Sequence, residues 1–414
     1  MGRNGMNTES RRAVSQWFLM NGFVTASWVA HVPRQSAELG ASPGALGLAL
    51  LCMALGSVVG MAVAPRAIGR FGSGRVAWTA GGVYALLLPL PLLAGSVPAL
   101  GLALLCFGAV HGLMDVTMNA AAAAGEKALG RPVMAGFHGW FSIGMVVGVG
   151  GGVAALAAGL SPLGHAAVAI GLAAALLLSG RPVRGFVPPL VESRTARKTG
   201  IDRRVVALAG LAFACLFLEG AMADWAGLLA VTFGAGPAVA PLAYGSFTAA
   251  WAGGRFLGDR LTTVAGDVAV VRAGGLLAAA GIAIALLGGT PGWVAAGCGV
   301  IGLGLANAVP VLFRAAAMGD TSGRGLALVT GVGYFGFLVG PPLVGFTAEA
   351  VGLPRAMLLV VAGGLVLAAG AFTLRPRRIG REVEGTPPDL NEARTSSPYE
   401  EVGNHERRQN AGTG

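Results

Sequence analysis

Residues 99–123 read ALGLALLCFGAVHGLMDVTMNAAAA, 25 residues with a single formal charge, Asp115. As a helix rising about 1.5 Å per residue this stretch is about 37 Å long, more than the roughly 30 Å of hydrocarbon in a bilayer. It is a membrane-spanning helix that carries a carboxyl group near its middle. A charge at that depth costs about 2.5–3.5 kcal/mol on the most lenient insertion scale, so Asp115 needs a reason to be there.

The same pattern recurs along the chain. Of 414 residues, 54% are apolar and 12% are charged, with mean hydropathy +0.70. Soluble domains carry about twice that share of charge, so a soluble enzyme is excluded. Windows between charged, proline-rich or glycine-rich breaks predict spans over 13–32, 44–64, 76–94, 99–123, 137–159, 164–180, 204–232, 241–258, 268–288, 293–316, 326–349 and 355–374. The fold class is therefore an all-α integral membrane protein of twelve helices. Ser10-Arg11-Arg12 has the look of a twin-arginine export signal, but eleven further spans favour an uncleaved first helix.

The net charge of +10 is a topology signal. Of the 29 cations, 25 fall on the side that holds the termini and the loops after even-numbered spans; Arg34 and Arg355 lie opposite, and Arg255 and Arg314 fall within spans. The positive-inside rule then places both termini in the cytoplasm, with the chain multi-pass in the cell membrane. Nucleic-acid binding is not expected. Cys52, Cys106, Cys215 and Cys298 sit in apolar runs without metal-ligand spacing, so they read as small buried hydrophobes, and no metal or cofactor is expected.

The longest charged loop, roughly 181–203, divides the spans six and six. The sequence separates into an N-terminal half (1–190), part of a central cytoplasmic loop (191–203), a C-terminal half (204–378) and a polar tail (379–414) read as disordered. Spans 2, 5, 8 and 11 carry glycines four apart: Gly56/Gly60, Gly144/Gly148, Gly254/Gly258 and Gly336/Gly340. Such pairs let helix backbones approach closely, and their recurrence every three helices points to nested three-helix repeats.

On these features the chain resembles the major facilitator superfamily over about residues 10–378. The family's Gly-x-x-x-Asp-Arg-like motif is matched in the second half by Gly254-Arg-Phe-Leu-Gly258-Asp259-Arg260-Leu261. The first half keeps only a degenerate form between Gly60 and Gly72, with Ala64-Pro65 where the acid is expected. The stretches His111-Gly-Leu-Met-Asp115-Val-Thr-Met-Asn119, Phe137-His138-Gly-Trp-Phe-Ser142-Ile-Gly144, Asp224-Trp225 and Gly333–Pro342 are similar to the bacterial YbjJ-like group, related to the fucose permease branch. Drug/proton antiporters of the superfamily carry Gly-Pro in helix 5; here Gly340-Pro341 stands in the eleventh span, which disfavours that class.

The resemblance implies that helices 1, 4, 7 and 10 line a central cavity, which makes Asp115 and Glu219 candidate proton or substrate sites on opposite halves. His111, Asp115 and Asn119 are four apart and share a helical face; Glu126 extends it toward the cytoplasm. Asp224, five residues beyond Glu219, projects about 140° away and suits an outer gate or a packing bond. In the first span Trp17, Asn21, Thr25 and Trp28 form a polar and aromatic face on which a sugar or drug ring can stack, with Trp17, near the membrane edge, read as an interfacial or core residue. In the eighth span Tyr244, Thr248, Trp251 and Arg255 share a face; Arg255 either holds an anionic substrate or neutralises Glu219, and pairing is the stronger reading. Asn307 and Arg314 are placed facing inward, unless Arg314 merely anchors at the cytoplasmic edge. His138 reads as a structural hydrogen-bonder beside the gate, and the resemblance gives Asp259 and Arg260 the role of a cytoplasmic latch.

Gly331-x-Gly333-x-x-Gly336 matches a dinucleotide fingerprint only as text, since it lies inside a span with no strand–helix context. The expectation is a monomeric secondary transporter, not an enzyme, that moves a small organic solute by alternating access with proton coupling. The alternative is a proton-driven efflux pump for a drug or metabolite, and a polytopic membrane enzyme or a sensor is more remote.

Overall fold

The computed structural model describes residues 8–129, 133–179, 202–318 and 324–375. The tail 379–414 and nearly all of the 181–203 loop lie outside these residues, as does Arg131. The first span is α1 (Thr8–Val29), followed by a short helix α2 (Val32–Leu39). The second to sixth spans are α3 (Pro43–Phe71), α4 (Ser73–Leu87) continued by α5 (Pro89–Leu92), α6 (Val97–Leu129), α7 (Met134–Ala157) and α8 (Pro162–Ser179). The seventh to ninth are α9 (Arg203–Thr232), α10 (Leu242–Ala265) and α11 (Asp267–Gly288). The tenth is α12 (Pro291–Leu305) continued by α13 (Ala308–Met318), the eleventh α14 (Arg324–Val351), and the twelfth α15 (Leu353–Ala356), α16 (Leu358–Gly370) and the 3-10 turn Ala371–Leu374.

Among the described residues, nine helices are long and apolar enough to cross a bilayer on those grounds alone. The other three are α1 and α10, whose charged and polar residues lower their hydropathy, and the interrupted third span. Each of the twelve predicted spans corresponds to a helix or a broken helix.

Three departures from the sequence reading have physical causes. The first span stops at Val29 rather than reaching 32, because Pro33, in the first turn of α2, has no N–H to donate to the Val29 carbonyl. The second and fourth spans run on to Phe71 and Leu129, since a helix need not end where the hydrocarbon does; Arg66 and Arg70, or Glu126 and Lys127, occupy the extensions. The third and tenth spans are each interrupted. Pro89 and Pro91 follow the first break, and Pro310 denies the carbonyl of Ala306 its usual donor at the second.

The glycine pairs seat these helices. A side chain on Gly56 or Gly60 would overlap the carbonyls of Leu105 and Ala109 on α6, and one on Gly108 or Gly112 would overlap those of Met53 and Ser57 on α3. Gly144 and Gly148 meet Leu19 and Phe23 of α1, Gly336 meets Phe213 of α9, and Gly254 meets Ala306 beside Gly258 and Asn307. Gly340 is the exception, with only ordinary contact, 3.6 Å, to Phe217. The second span thus packs on the fourth and the fifth on the first, while the eighth packs on the tenth and the eleventh on the seventh. Moving each number up by six turns the first two pairings into the last two, as two repeated six-helix bundles require. The repeat extends to the turns: Gly72 (φ 82°) joins spans 2 and 3, and Gly266 (φ 81°) joins spans 8 and 9. Both adopt backbone that only glycine enters without strain.

The bundles meet where α3 packs on α14 and α7 on α10. The tightest approaches cluster at the end of α3 that begins with Ser42. There Gly47 lies on the carbonyl of Pro341, Gly345 on that of Pro43, and Gly227 on the ring of Pro33.

Candidate functional site

Asp115 lies about 27 Å along α6 from Val97, close to mid-span, and is half-buried. The Asn119 amide donates to its carboxylate (3.3 Å) and to its backbone carbonyl (2.8 Å), which fixes the side chain from one turn further on. Around it, α1 and α4 contribute a hydrogen-bonded group. Thr25 lies 2.9 Å from the Tyr84 hydroxyl and 2.8 Å from the Asn21 carbonyl, to which it donates; Asn21 donates to Met118 Sδ. Tyr84 stacks obliquely on Phe107 and on His111, whose Nδ1 is 3.4 Å from Ser57. The predicted Asp115–Asn119 stripe therefore joins the Asn21–Thr25 face through Tyr84, a residue the sequence reading did not single out.

The second cluster is built by α9 and α10. Glu219 is half-buried, and its Oε1 has no hydrogen-bond partner within the protein. Arg255 lies within its electrostatic reach, so the predicted pairing is long-range. The guanidinium instead lies on the Trp251 ring, 3.4 Å from its centroid, and its Nε is also without a partner. An unpartnered carboxylate oxygen and an unpartnered guanidinium nitrogen in one buried cluster form a polar surface that the protein itself leaves incomplete. Tyr244 stands in the field of both Glu219 and Asp224, which brings those two acids toward one region although they project about 140° apart on α9.

Tyr334 on α14 links the clusters. It is 45% exposed, and its hydroxyl lies in the field of Asp115 from the first bundle and Glu219 from the second. The chain has four tyrosines. Tyr84, Tyr244 and Tyr334 all converge on the carboxylates; Tyr399 lies outside the described residues. The scarcity of tyrosine, and its placement inside spans, was the signal available in the sequence.

Other predicted residues are placed elsewhere. Trp28 is 1% exposed, so its ring face is consumed by packing and offers no stacking surface in this conformation. The Asn307 amide donates to the Gly254 carbonyl at 2.9 Å and seats against Gly258, which ties the tenth span to the eighth rather than facing a solute. Arg314 does not turn inward: it pairs with Asp267 at the start of α11 (2.5 Å), on the surface, because the carboxylate at that helix start lies beside it. His138 packs edge-on against Phe18 and lies in the field of Arg255. Arg260 is exposed on α10; the side chain of Asp259 lies outside what the structure describes. Glu126 accepts from the backbone N–H groups of Val133 and Met134, both at 2.8 Å, so it caps the start of α7 rather than extending the Asp115 stripe. Cys215 and Cys298 are buried as expected, but Cys106 is on the exposed face of α6. Among the described residues, no three His, Cys, Asp or Glu side chains are grouped to hold a metal.

No family model matches the chain. It is 36% identical over 359 residues to an uncharacterised MFS-type transporter of Yersinia pestis, covering 86% of this chain and 93% of that one. It is 32% identical over 379 residues to the membrane protein MosC of Rhizobium meliloti, covering 89% and 91%. In structure it resembles a point mutant of the nucleoside transporter NupG, with TM-score 0.70, 13% identity and coverage of 89% and 100%. It also resembles a D-xylose–proton symporter, with TM-score 0.69, 14% identity and coverage of 90% and 99%. The twelve spans in two repeated bundles, the polar clusters inside them and the relatives that match nearly end to end give one conclusion: the chain is a multi-pass membrane transporter of the MFS type.

Proposed function

We propose that this transporter carries a small, hydroxyl-rich organic solute across the cytoplasmic membrane by alternating access, coupled to protons through Asp115 or Glu219. The observation that carries the reading is the buried, unpartnered Glu219 Oε1 with the unpartnered Arg255 Nε in the same cluster, and Tyr334 stands within electrostatic reach of Glu219 and of Asp115 from the other bundle. A site shared between two bundles is remade each time they rock, so occupancy and conformation are linked. Carboxylates and amides suit hydroxyl donors, tyrosines supply both donor and acceptor, and the Arg255–Trp251 stack offers a flat face beside them. Solutes of this kind are named for two solved transporters of the same fold, nucleosides for one and D-xylose with protons for the other.

In this reading residues 1–190 and 204–378 are the moving halves, 191–203 belongs to the cytoplasmic connection, and the protein works as a monomer. Its termini are cytoplasmic, as the distribution of 25 cations supports. The end bearing Ser42 then faces outward. The test is flux in proteoliposomes under an imposed pH gradient, across a panel of pentoses, hexoses, polyols and nucleosides. A gradient-driven flux that Asp115→Asn or Glu219→Gln uncouples is expected; equal gradient dependence in both variants rejects these acids as coupling sites. Export of a solute loaded inside, without uptake from outside, would favour the efflux alternative.

A further inference from the structure

Glu349, near the end of α14, reaches across to the start of α3. Its Oε2 accepts from the backbone N–H of Gly44 at 2.9 Å and from the Ser42 hydroxyl at 3.1 Å. Ser42 is the N-cap of α3, its hydroxyl oxygen accepting from Ala45 N–H, and Pro43 follows it. The Gly44 N–H is one of the first-turn donors that a helix cannot satisfy itself, and the helix start favours negative charge. A side chain on Gly44 would overlap this carboxylate and displace it from the helix start. The contact joins residues 305 apart and belongs to different bundles. Glu349 has no part in the polar clusters described above.

We infer that Glu349 and the N-terminus of α3 form a charge-to-helix latch that holds the two bundles closed at this end, and that the latch must break for the protein to open there. Gly47 against Pro341 and Gly345 against Pro43 continue the same seam one turn deeper, so the latch sits at its rim. The inference rests on alternating access and adds the residue that biases it. A carboxylate on a helix start makes a charge-assisted bond, and its removal shifts the balance toward the open state by about fivefold to tenfold.

The test is the distance between spin labels at Ala41→Cys and Val351→Cys, measured in liposomes on the full chain with its four native cysteines replaced. The unaltered latch is expected to give a dominant short distance and a minor long one. Glu349→Gln and Gly44→Ala should each raise the long-distance fraction about fivefold or more. Should Gly44→Ala fail to insert, Ser42→Ala, which withdraws only the hydroxyl donor, should give a smaller rise in the same direction. Unchanged distributions in these variants overturn the latch while leaving alternating access standing. A single short distance in every form, parent included, overturns both. Raised long-distance fractions in a protein that shows no proton-coupled flux support the latch and reject only the coupling role of the central acids.

Discussion

The guanidinium carbon of Arg255 lies 3.4 Å from the centre of the Trp251 ring, one helical turn earlier on α10. The stack holds the cation over an aromatic face and leaves Nε unpartnered. A desolvated cation–π contact contributes about 2 kcal/mol, so Trp251→Leu should lower the apparent unfolding midpoint in detergent, and Trp251→Phe should restore part of it. Equal midpoints for Leu and Phe would show that the stack contributes nothing beyond apolar volume. Arg255→Lys keeps the charge but loses the planar face, and should weaken solute binding about tenfold in a thermal-shift titration with the transported solute.

Tyr334→Phe removes one hydroxyl from the point where the fields of Asp115 and Glu219 meet. Its ring is exposed and its packing modest, so the midpoint of unfolding should stay within a degree or two. Initial flux should fall about tenfold, the effect of losing one hydrogen bond from the hydroxyl to the solute. Unimpaired flux would remove Tyr334 from the transport path.

The α3–α6 seam predicts a sharp contrast between glycines of one helix. Gly60→Val places a side chain against the Ala109 carbonyl and should abolish monodisperse protein on size exclusion, since neither backbone can yield without opening the seam. Gly69→Ala, on the same helix with open space around it, should be silent or slightly stabilising.

His31 lies in the turn between α1 and α2, 1% exposed, with its Nε2 2.8 Å from His165 Nδ1. Burial, then the neighbouring His165 and Arg34, lowers its pKa from the ordinary 6.5 to about 3. The unfolded chain takes up a proton near pH 6.5 that the folded site refuses. Stability is therefore complete above that pH and is lost as pH falls from 6.5 toward 3, by about 2 kcal/mol at pH 5. The unfolding midpoint measured at pH 7.5 and at pH 5 should differ more for the parent protein than for His31→Gln. Identical pH dependence would assign the acid sensitivity to other groups.

Membrane residence, the number of spans and the excess of cations on one side were legible in the sequence, because apolarity and charge are properties of single residues that add along a window. The acids of the site were legible for the same reason: a charge in a run such as 99–123 stands out against its neighbours. Partners were not. Spacing left Arg314 either facing inward or anchored at the cytoplasmic edge, and did not show that a carboxylate 47 residues away on another helix start claims it. The Trp28 face looked free until the packing of α1 closed over it, and Asn307 looked like a ligand group until Gly254 proved to be its acceptor. Helical periodicity records which face of a helix is polar but not what stands opposite it. The convergence of three tyrosines on the carboxylates and the grip of Glu349 on Gly44 were decided by helix packing alone, because both depend on how closely glycine seams let distant backbones approach.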